Sequence, residues 1–188
     1  ALGIVANARL EQMPRPGDDW LLTLADGRTL RAPLVIAADG ANSAVRRLTG
    51  VATREWDYLH HAIVTSVRSS KPHQATAWQR FTDNGPLAFL PLERDGQQDW
   101  CSIVWSTTPS EAGHLMELDD EGFCRALERA FEGRLGTVLS ADPRLWVPLR
   151  QRHAKRYVAE GLALIGDAAH TIHPLAGQGV NLGFLDAA

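Results

Sequence analysis

Two short apolar runs, each followed by an aspartate next to a glycine, set the strongest limit on how this chain folds. Residues 34–38 lead into Asp39-Gly40, and residues 162–165 lead into Gly166-Asp167. A continuous apolar run indicates a strand that is buried on both faces. Ligands of α/β sheets collect at the carboxyl ends of such strands, where a carboxylate can bind a sugar or polyol hydroxyl. Either dipeptide alone is also ordinary turn chemistry.

The remainder of the chain is predicted to be mainly antiparallel β-structure with a few helices. Residues 4–31 alternate loosely around turn signals and indicate a β-meander. Ser43 is placed to cap a helix over 44–49, and Gly50 is placed to end it. Helical spacing marks residues 109–132, and a last helix begins near Gln178. Four strand-like segments separated by turn residues, 62–67, 76–82, 87–92 and 100–106, predict a mainly antiparallel sheet, and 145–149 is a further strand candidate.

Composition excludes several classes of protein. Of the 188 residues, 45% are hydrophobic and 22% are charged, so the chain can bury a core. A formal net charge of −3 argues against a nucleic-acid binder that relies on bulk positive charge. No apolar run approaches the roughly 18 residues of a membrane-spanning helix. Cys101 and Cys124 do not make a disulfide framework, so we expect a reducing, cytoplasmic location with both thiols buried.

The segment after the second apolar run is rich in small residues and opens a helix. Gly177 and Gly179 sit where the helix N-terminus would present free N–H groups and a positive dipole to a negatively charged group. A dinucleotide fingerprint needs its glycines directly after the strand, and here loop residues intervene. His170 and His173 lack the flanking glutamate of a zinc helix, and Pro174 breaks any helix there. We therefore expect no metal site and a loop histidine near a cofactor.

Two further features have two interpretations each. A basic cluster follows residue 149, and it is either a solvated edge or a site for a cofactor phosphate. The cluster consists of Arg150, Arg152, Lys155 and Arg156. Several tryptophans fall in the predicted sheet, where aromatic side chains usually form core but can line a pocket. These are Trp78, Trp100, Trp105 and Trp146.

The two motifs resemble those of a known family. Residues 36–46 resemble the Asp-Gly motif of the class A flavin-dependent aromatic hydroxylases, and residues 164–183 resemble their Gly-Asp motif. The amino-acid sequences of residues 170–183, and of 78–82 with 89–92, most resemble the branch that hydroxylates ubiquinone precursors. The resemblance implies a mixed α/β chain. It would hold part of a glutathione-reductase-type FAD domain (1–52 and 151–188) and an inserted substrate domain of antiparallel sheet and helices (53–150).

The resemblance also implies FAD as cofactor and NAD(P)H and O₂ as co-substrates. Asp167 would hold the ribityl chain, the loop from Pro174 to Gly179 would pass the isoalloxazine ring, and Asn181 would fix the helix and ring. His173 is the candidate for a catalytic role near the ring. The implied cofactor-binding residues are Asp39, Gly40, Arg46, Gly166, Asp167, Pro174, Gly177, Gln178, Gly179 and Asn181.

The implied reaction is hydroxylation of a polyprenyl phenol or benzoquinol in ubiquinone biosynthesis. The alternatives are another FAD enzyme of this fold (a reductase or a different aromatic hydroxylase) or a non-catalytic substrate-binding module. A halogenase would carry a lysine near the flavin, and residues 161–188 contain none. A prenyl-tailed substrate would be membrane-borne, which makes contact with a membrane surface or a multi-enzyme complex compatible with this sequence. A homo-oligomer is also compatible with it.

Members of the family begin with a βαβ unit that carries G-x-G-x-x-G, and this sequence has no such unit. We therefore expect an internal fragment of a longer enzyme, which is inactive by itself and binds FAD weakly or not at all. Titrating the 188-residue chain into FAD while following flavin fluorescence measures this. A sub-micromolar Kd would contradict the expectation.

Overall fold

The computed structural model describes residues 3–173 and 177–188. They fall into a two-segment unit, Ala1–Trp56 with Arg150–Ala188, and a central unit, Asp57–Leu149. The helices are α1 (Ala44–Leu48), α2 (Pro109–Glu117), α3 (Asp120–Ala130) and α4 (Gln178–Ala187). The strands are β1 (Leu10–Gln12), β2 (Trp20–Leu24), β3 (Thr29–Ala32), β4 (Val35–Ala37), β5 (Thr53–Ser69), β6 (Trp78–Thr82), β7 (Gly85–Arg94), β8 (Gln97–Thr107), β9 (Val138–Ala141), β10 (Leu145–Ala154), β11 (Val158–Ala159), β12 (Leu162–Leu164) and β13 (His170–Thr171).

The central unit is built on an antiparallel sheet with the strand order β10-β5-β8-β7-β6, and β9 also pairs with β5. Every second side chain of its strands enters one core, which is why Ile63, Leu87 and Ile103 are fully buried. The antiparallel sheet predicted from the alternating segments is therefore confirmed. Strands β5, β7 and β8 are longer than the pattern indicated, whereas β6 is two residues shorter.

Helices α2 and α3 bring their apolar faces into the same core as this sheet. Phe123 and Leu127 are fully buried, and Phe131 stacks on Phe89 with ring centroids 4.0 Å apart. The predicted helical region 109–132 is two helices, because Leu118 leaves the helical conformation and Asp119 caps the next one. The Asp119 Oδ1 atom accepts a hydrogen bond from the Gly122 N–H at 2.6 Å.

The thiols and tryptophans of the central unit divide into core and surface groups. Cys101 and Cys124 are both free and buried, and burial raises the pKa of the Cys101 thiol to about 11. Trp105 lies in the core as expected. Trp146 does not, since it is 46% exposed and stacks on His61 at 4.9 Å between ring centroids. Among the described residues, no helix is both long and apolar enough to cross a membrane.

The two-segment unit contains two small sheets. Strands β1, β2 and β3 form the predicted meander, and the second sheet has the order β11-β12-β4. Strands β12 and β4 run parallel, with Leu162 opposite Val35 and Leu164 opposite Ala37. These four side chains are buried in one core cluster. The two apolar runs of the sequence are therefore adjacent parallel strands.

The expectation that residues 34–38 are buried on both faces is wrong for one face. Ile36 is 58% exposed, whereas Val35 and Ala37 are buried. Successive strand side chains point to opposite faces, and the described residues cover only the face that holds Val35 and Ala37.

Replacing Leu127 by alanine is expected to lower the free energy of unfolding by about 2–5 kcal/mol, because a fully buried leucine leaves a cavity. Urea titration followed by tryptophan fluorescence measures the change. Leu145→Ala is the matched control, since Leu145 is exposed and its loss should cost about 0.5 kcal/mol or less. Equal losses in the two variants would contradict this core.

Candidate functional site

The parallel pairing of β4 with β12 brings the Asp-Gly and Gly-Asp motifs to one edge of a sheet. The Ile165 N–H donates to the Ala37 carbonyl at 2.9 Å, so the pairing continues to the last residue before Gly166. After these residues, the segments that follow β4 and β12 leave the sheet at the same end. This is the place where α/β sheets bind ligands.

The Asp-Gly motif is held by the start of helix α1. The Asp39 Oδ2 atom accepts hydrogen bonds from the Ala44 N–H at 2.7 Å and the Val45 N–H at 3.1 Å. Ser43 caps the same helix as predicted, and its hydroxyl accepts the Arg46 N–H at 2.9 Å. These bonds satisfy N–H groups that a helix start leaves open. Gly40 has φ of +81°, which favours glycine at this bend.

A cavity of about 730 Å³ borders this motif. Its wall includes Asp39, Asn42 and Arg47, together with residues 8–12 of the first strand region. The Asp39 carboxylate therefore lies at a concave surface while its Oδ2 atom supports helix α1.

Arg46 ties the two motifs together from inside the two-segment unit. Its guanidinium donates from Nη1 to the Ala168 carbonyl at 2.7 Å and from Nη2 to the Ala41 carbonyl at 2.6 Å. The residue is only 8% exposed. Burial lowers the pKa of Arg46, and the nearby charge of Arg152 lowers it further, although arginine stays charged at neutral pH.

The interpretation of the basic cluster as a solvated edge is wrong for Arg152. Its side chain, 19% exposed, donates from Nε to the Glu55 carboxylate at 2.7 Å and from Nη1 to the Ala41 carbonyl. The Arg152 guanidinium holds the pKa of Glu55 below its usual range. Lys155 instead borders a cavity of about 780 Å³. The other residues of that cavity are Arg54, Trp56, Gln151, His153, Ala154 and Tyr157.

The Gly-Asp loop leaves strand β12 through a single 3₁₀ turn, Gly166–Ala168. Gly166 takes a left-handed conformation with φ of +57°. Asp167 is exposed, and among the described residues none forms a hydrogen bond or ion pair with its carboxylate. A carboxylate at the end of a buried strand is thus available to a ligand.

Helix α4 starts immediately after the loop. Gly177 caps it with φ of +61°, and space is open around the positions where side chains would project from Gly177 and Gly179. The first turn holds no acidic residue, so no carboxylate of that turn offsets the positive end of the helix dipole. Asn181 is exposed in that turn and His173 is half-buried. Pro174, assigned to the flavin loop on the resemblance, lies outside the described residues.

The structure adds one residue that sequence reasoning missed. The Asp186 Oδ2 atom accepts from the Gly166 N–H at 2.7 Å and contacts His170 Nε2 at 2.7 Å. These partners lie 20 and 16 positions away, a distance at which no local spacing pattern operates. His170 therefore pairs with Asp186. In the part of the chain that the structure describes, no group of three or more His, Cys, Asp or Glu side chains is arranged to hold a metal ion.

These features lie in one mixed α/β unit, and comparison with known families identifies the class of protein to which the unit belongs. The FAD-binding domain family matches residues 21–188. The chain belongs to this family.

Named relatives share most of this chain. The 3-demethoxyubiquinol 3-hydroxylase of Escherichia coli (strain K12) is 45% identical over 167 residues, which is 88% of this chain and 41% of the relative. The ubiquinone hydroxylase UbiL of Rhodospirillum rubrum is 40% identical over all of this chain and 43% of its own length. This chain thus spans about two fifths of the relatives it matches.

Solved structures give the same fold. PqsL of Pseudomonas aeruginosa, crystallised with 2-aminobenzoylacetate, is 29% identical, and the match covers 96% of this chain and half of PqsL with a TM-score of 0.76. The flavin-dependent halogenase CmlS has a TM-score of 0.75 over 94% of this chain and 33% of its own. Because it is 21% identical, CmlS shows the fold alone. The expected mixed α/β fold with an FAD-binding part is confirmed.

Replacing Arg46 by lysine is expected to lower the free energy of unfolding by about 1.5–3 kcal/mol, because lysine cannot reach both carbonyls with one planar group. Arg47→Lys is the control on the next, exposed residue, and it should change stability by about 0.5 kcal/mol or less. Urea titration of both variants provides the comparison. An Arg46→Lys midpoint equal to that of the wild type would refute the role of Arg46 as a tie.

Proposed function

We propose that this chain is the flavin-ring side and substrate domain of an FAD-dependent monooxygenase that hydroxylates the ring of a polyprenyl phenol or benzoquinol. One observation carries the proposal. The exposed Asp167 carboxylate and the Asp39-Gly40 bend lie at the same sheet edge, and the N-terminus of helix α4 follows in the same unit. Polyol hydroxyls and a ring that gains negative charge on reduction are the ligand groups that this combination suits.

The residues present fit FAD. Carboxylates accept hydrogen bonds from ribityl or ribose hydroxyls, and the open space at Gly177 and Gly179 admits a flat ring close to the backbone. When bound, FAD supplies hydride acceptance from NAD(P)H and activation of O₂ for transfer to an aromatic ring. In our proposal the protein contributes binding, orientation and exclusion of water.

Each residue of the site receives a role in this proposal. Asp167 accepts hydrogen bonds from the ribityl chain. The N–H groups at the start of α4, near Gln178 and Gly179, stabilise negative charge at the N1–C2=O edge of the ring. Asn181 steadies the ring from the first turn, and His173 borders the reacting face.

The remaining assigned residues serve the framework of the site. Gly40 and Gly166 supply backbone turns that bring the chain close to the cofactor. Asp39 supports helix α1, and Arg46 holds the two motifs together rather than presenting both terminal nitrogens to a ligand. Pro174 is proposed to lie in the flavin loop on the family resemblance alone.

We assign the substrate to the central part of the chain, residues 53–150, with 1–52 and 151–188 belonging to the FAD domain. The relatives' names support the substrate class, since they are a 3-demethoxyubiquinol 3-hydroxylase, a ubiquinone hydroxylase and mitochondrial ubiquinone monooxygenases. A prenyl-tailed substrate would draw a cytoplasmic enzyme to the membrane surface or into a multi-enzyme complex. Homo-oligomer formation belongs to the same proposal and is checked by light scattering.

Replacing Asp167 by alanine in the full-length monooxygenase is expected to remove most of the bound yellow flavin and the hydroxylase activity, because the ribityl hydroxyls lose their acceptor. The flavin-to-protein absorbance ratio after purification and product analysis measure this. Asp18→Ala, which removes an exposed carboxylate elsewhere in the same unit, should keep both. Unchanged flavin content in Asp167→Ala would overturn the assignment of Asp167.

A further inference from the structure

Asp186 joins helix α4 to the Gly-Asp loop through one carboxylate oxygen. The Asp186 Oδ2 atom accepts a hydrogen bond from the Gly166 N–H at 2.7 Å and contacts His170 Nε2 at 2.7 Å. Both partners belong to the segment that follows strand β12, so this one side chain fixes the helix to the loop at two points.

This contact is partly shielded from water. Asp186 lies at the surface with its side chain 21% exposed, and the His170 side chain is 8% exposed, so the carboxylate meets a buried imidazole. Tyr157 lies against the His170 ring, with centroids 5.7 Å apart, and closes another side of it. A charge-assisted hydrogen bond in such surroundings is stronger than one at an open surface.

A second attachment sits one helical turn earlier on the same face. Gly183 is three residues before Asp186, and a Cβ atom built on it would come 3.3 Å from the Gly166 Cα atom. A side chain at position 183 would therefore be tight, and the glycine lets the helix backbone lie close to the Gly-Asp loop. The Gly183 approach and the Asp186 hydrogen bond are thus two contacts on one side of the helix.

We propose that Asp186 is a positioning residue, which locks helix α4 to the Gly-Asp loop and thereby sets how strongly the helix N-terminus stabilises the reduced flavin. This inference rests on the proposed function. Asp186 lies eight residues, or about 12 Å, after the first residue of the helix, so a tilt of about 5° about its contact moves the N-terminus by about 1 Å. The dipole acts mainly within the first turn, so such a shift weakens its effect on the ring.

The test compares the full-length holoenzyme with its Asp186→Asn and Asp186→Ala variants, and with Glu160→Gln as a control that removes an exposed carboxylate of the same unit. The bound flavin's two-electron midpoint potential is the first readout. Asp186→Asn should retain FAD but stabilise the reduced state less. A tenfold loss corresponds to about 30 mV in the negative direction. The control should keep the wild-type potential.

Hydrogen–deuterium exchange of residues 177–188 in the flavin-free protein is the second readout, and it does not depend on FAD. Both Asp186 variants should exchange faster than wild type in this helix, while the core of the central unit keeps its protection. Unchanged exchange and unchanged potential in both variants would overturn the proposal, and so would a global loss of protection in both. A wild-type protein that never binds flavin would refute the proposed function instead. In that case the exchange rates of residues 177–188 alone would test whether Asp186 fixes the helix to the loop.

Discussion

The parallel pairing of β4 with β12 is the constraint on which the remainder of the site depends. These strands are more than 120 residues apart in sequence, and their pairing is the reason that the Asp39-Gly40 and Gly166-Asp167 motifs follow neighbouring strands at the same sheet edge. Long-range pairing costs loop-closure entropy, so it needs stabilisation beyond the few strand hydrogen bonds. Four buried apolar side chains, together with the Arg46 guanidinium between two loop carbonyls, supply that stabilisation.

In the two-segment unit several charged side chains are paired with neighbouring groups, whereas the Asp167 carboxylate is exposed. Arg46 and Arg152 are turned inward onto backbone carbonyls and Glu55, and Asp186 is turned inward onto Gly166 and His170. Among the described residues, none forms a hydrogen bond or ion pair with the Asp167 carboxylate, and the first turn of helix α4 holds no acidic side chain. In the function proposed above, the internal pairs hold the framework, and the exposed carboxylate and the helix start would meet a polyol and a ring that becomes negative.

Local signals in the sequence were sufficient for most elements. The Ser43 cap, the meander and the apolar stripe of α3 follow from short-range patterns, and the two motifs led to the family. The break between α2 and α3 was not predicted because Asp119 lies in a cluster of acidic residues at 117–121. Its role as a helix cap is visible only from its contact with Gly122. The exposure of Ile36 was missed because an apolar run does not reveal which face is covered.

Contacts between distant residues could not be predicted in the same way. Nothing near Asp186 in sequence indicates a partner 20 positions earlier. In sequence Arg152 is one member of a basic cluster, and only the structure shows that it pairs with Glu55, 97 positions earlier. The roles proposed for Asp167, Gln178 and Asn181 come from family resemblance and from their positions.

Hydrogen–deuterium exchange of the full-length protein with and without FAD tests the central claim most directly. If the two motifs form one flavin-binding edge, residues 39–46 and residues 166–183 should gain protection together at the same FAD concentration. Protection of only one segment, or of neither while FAD is bound, would contradict the account.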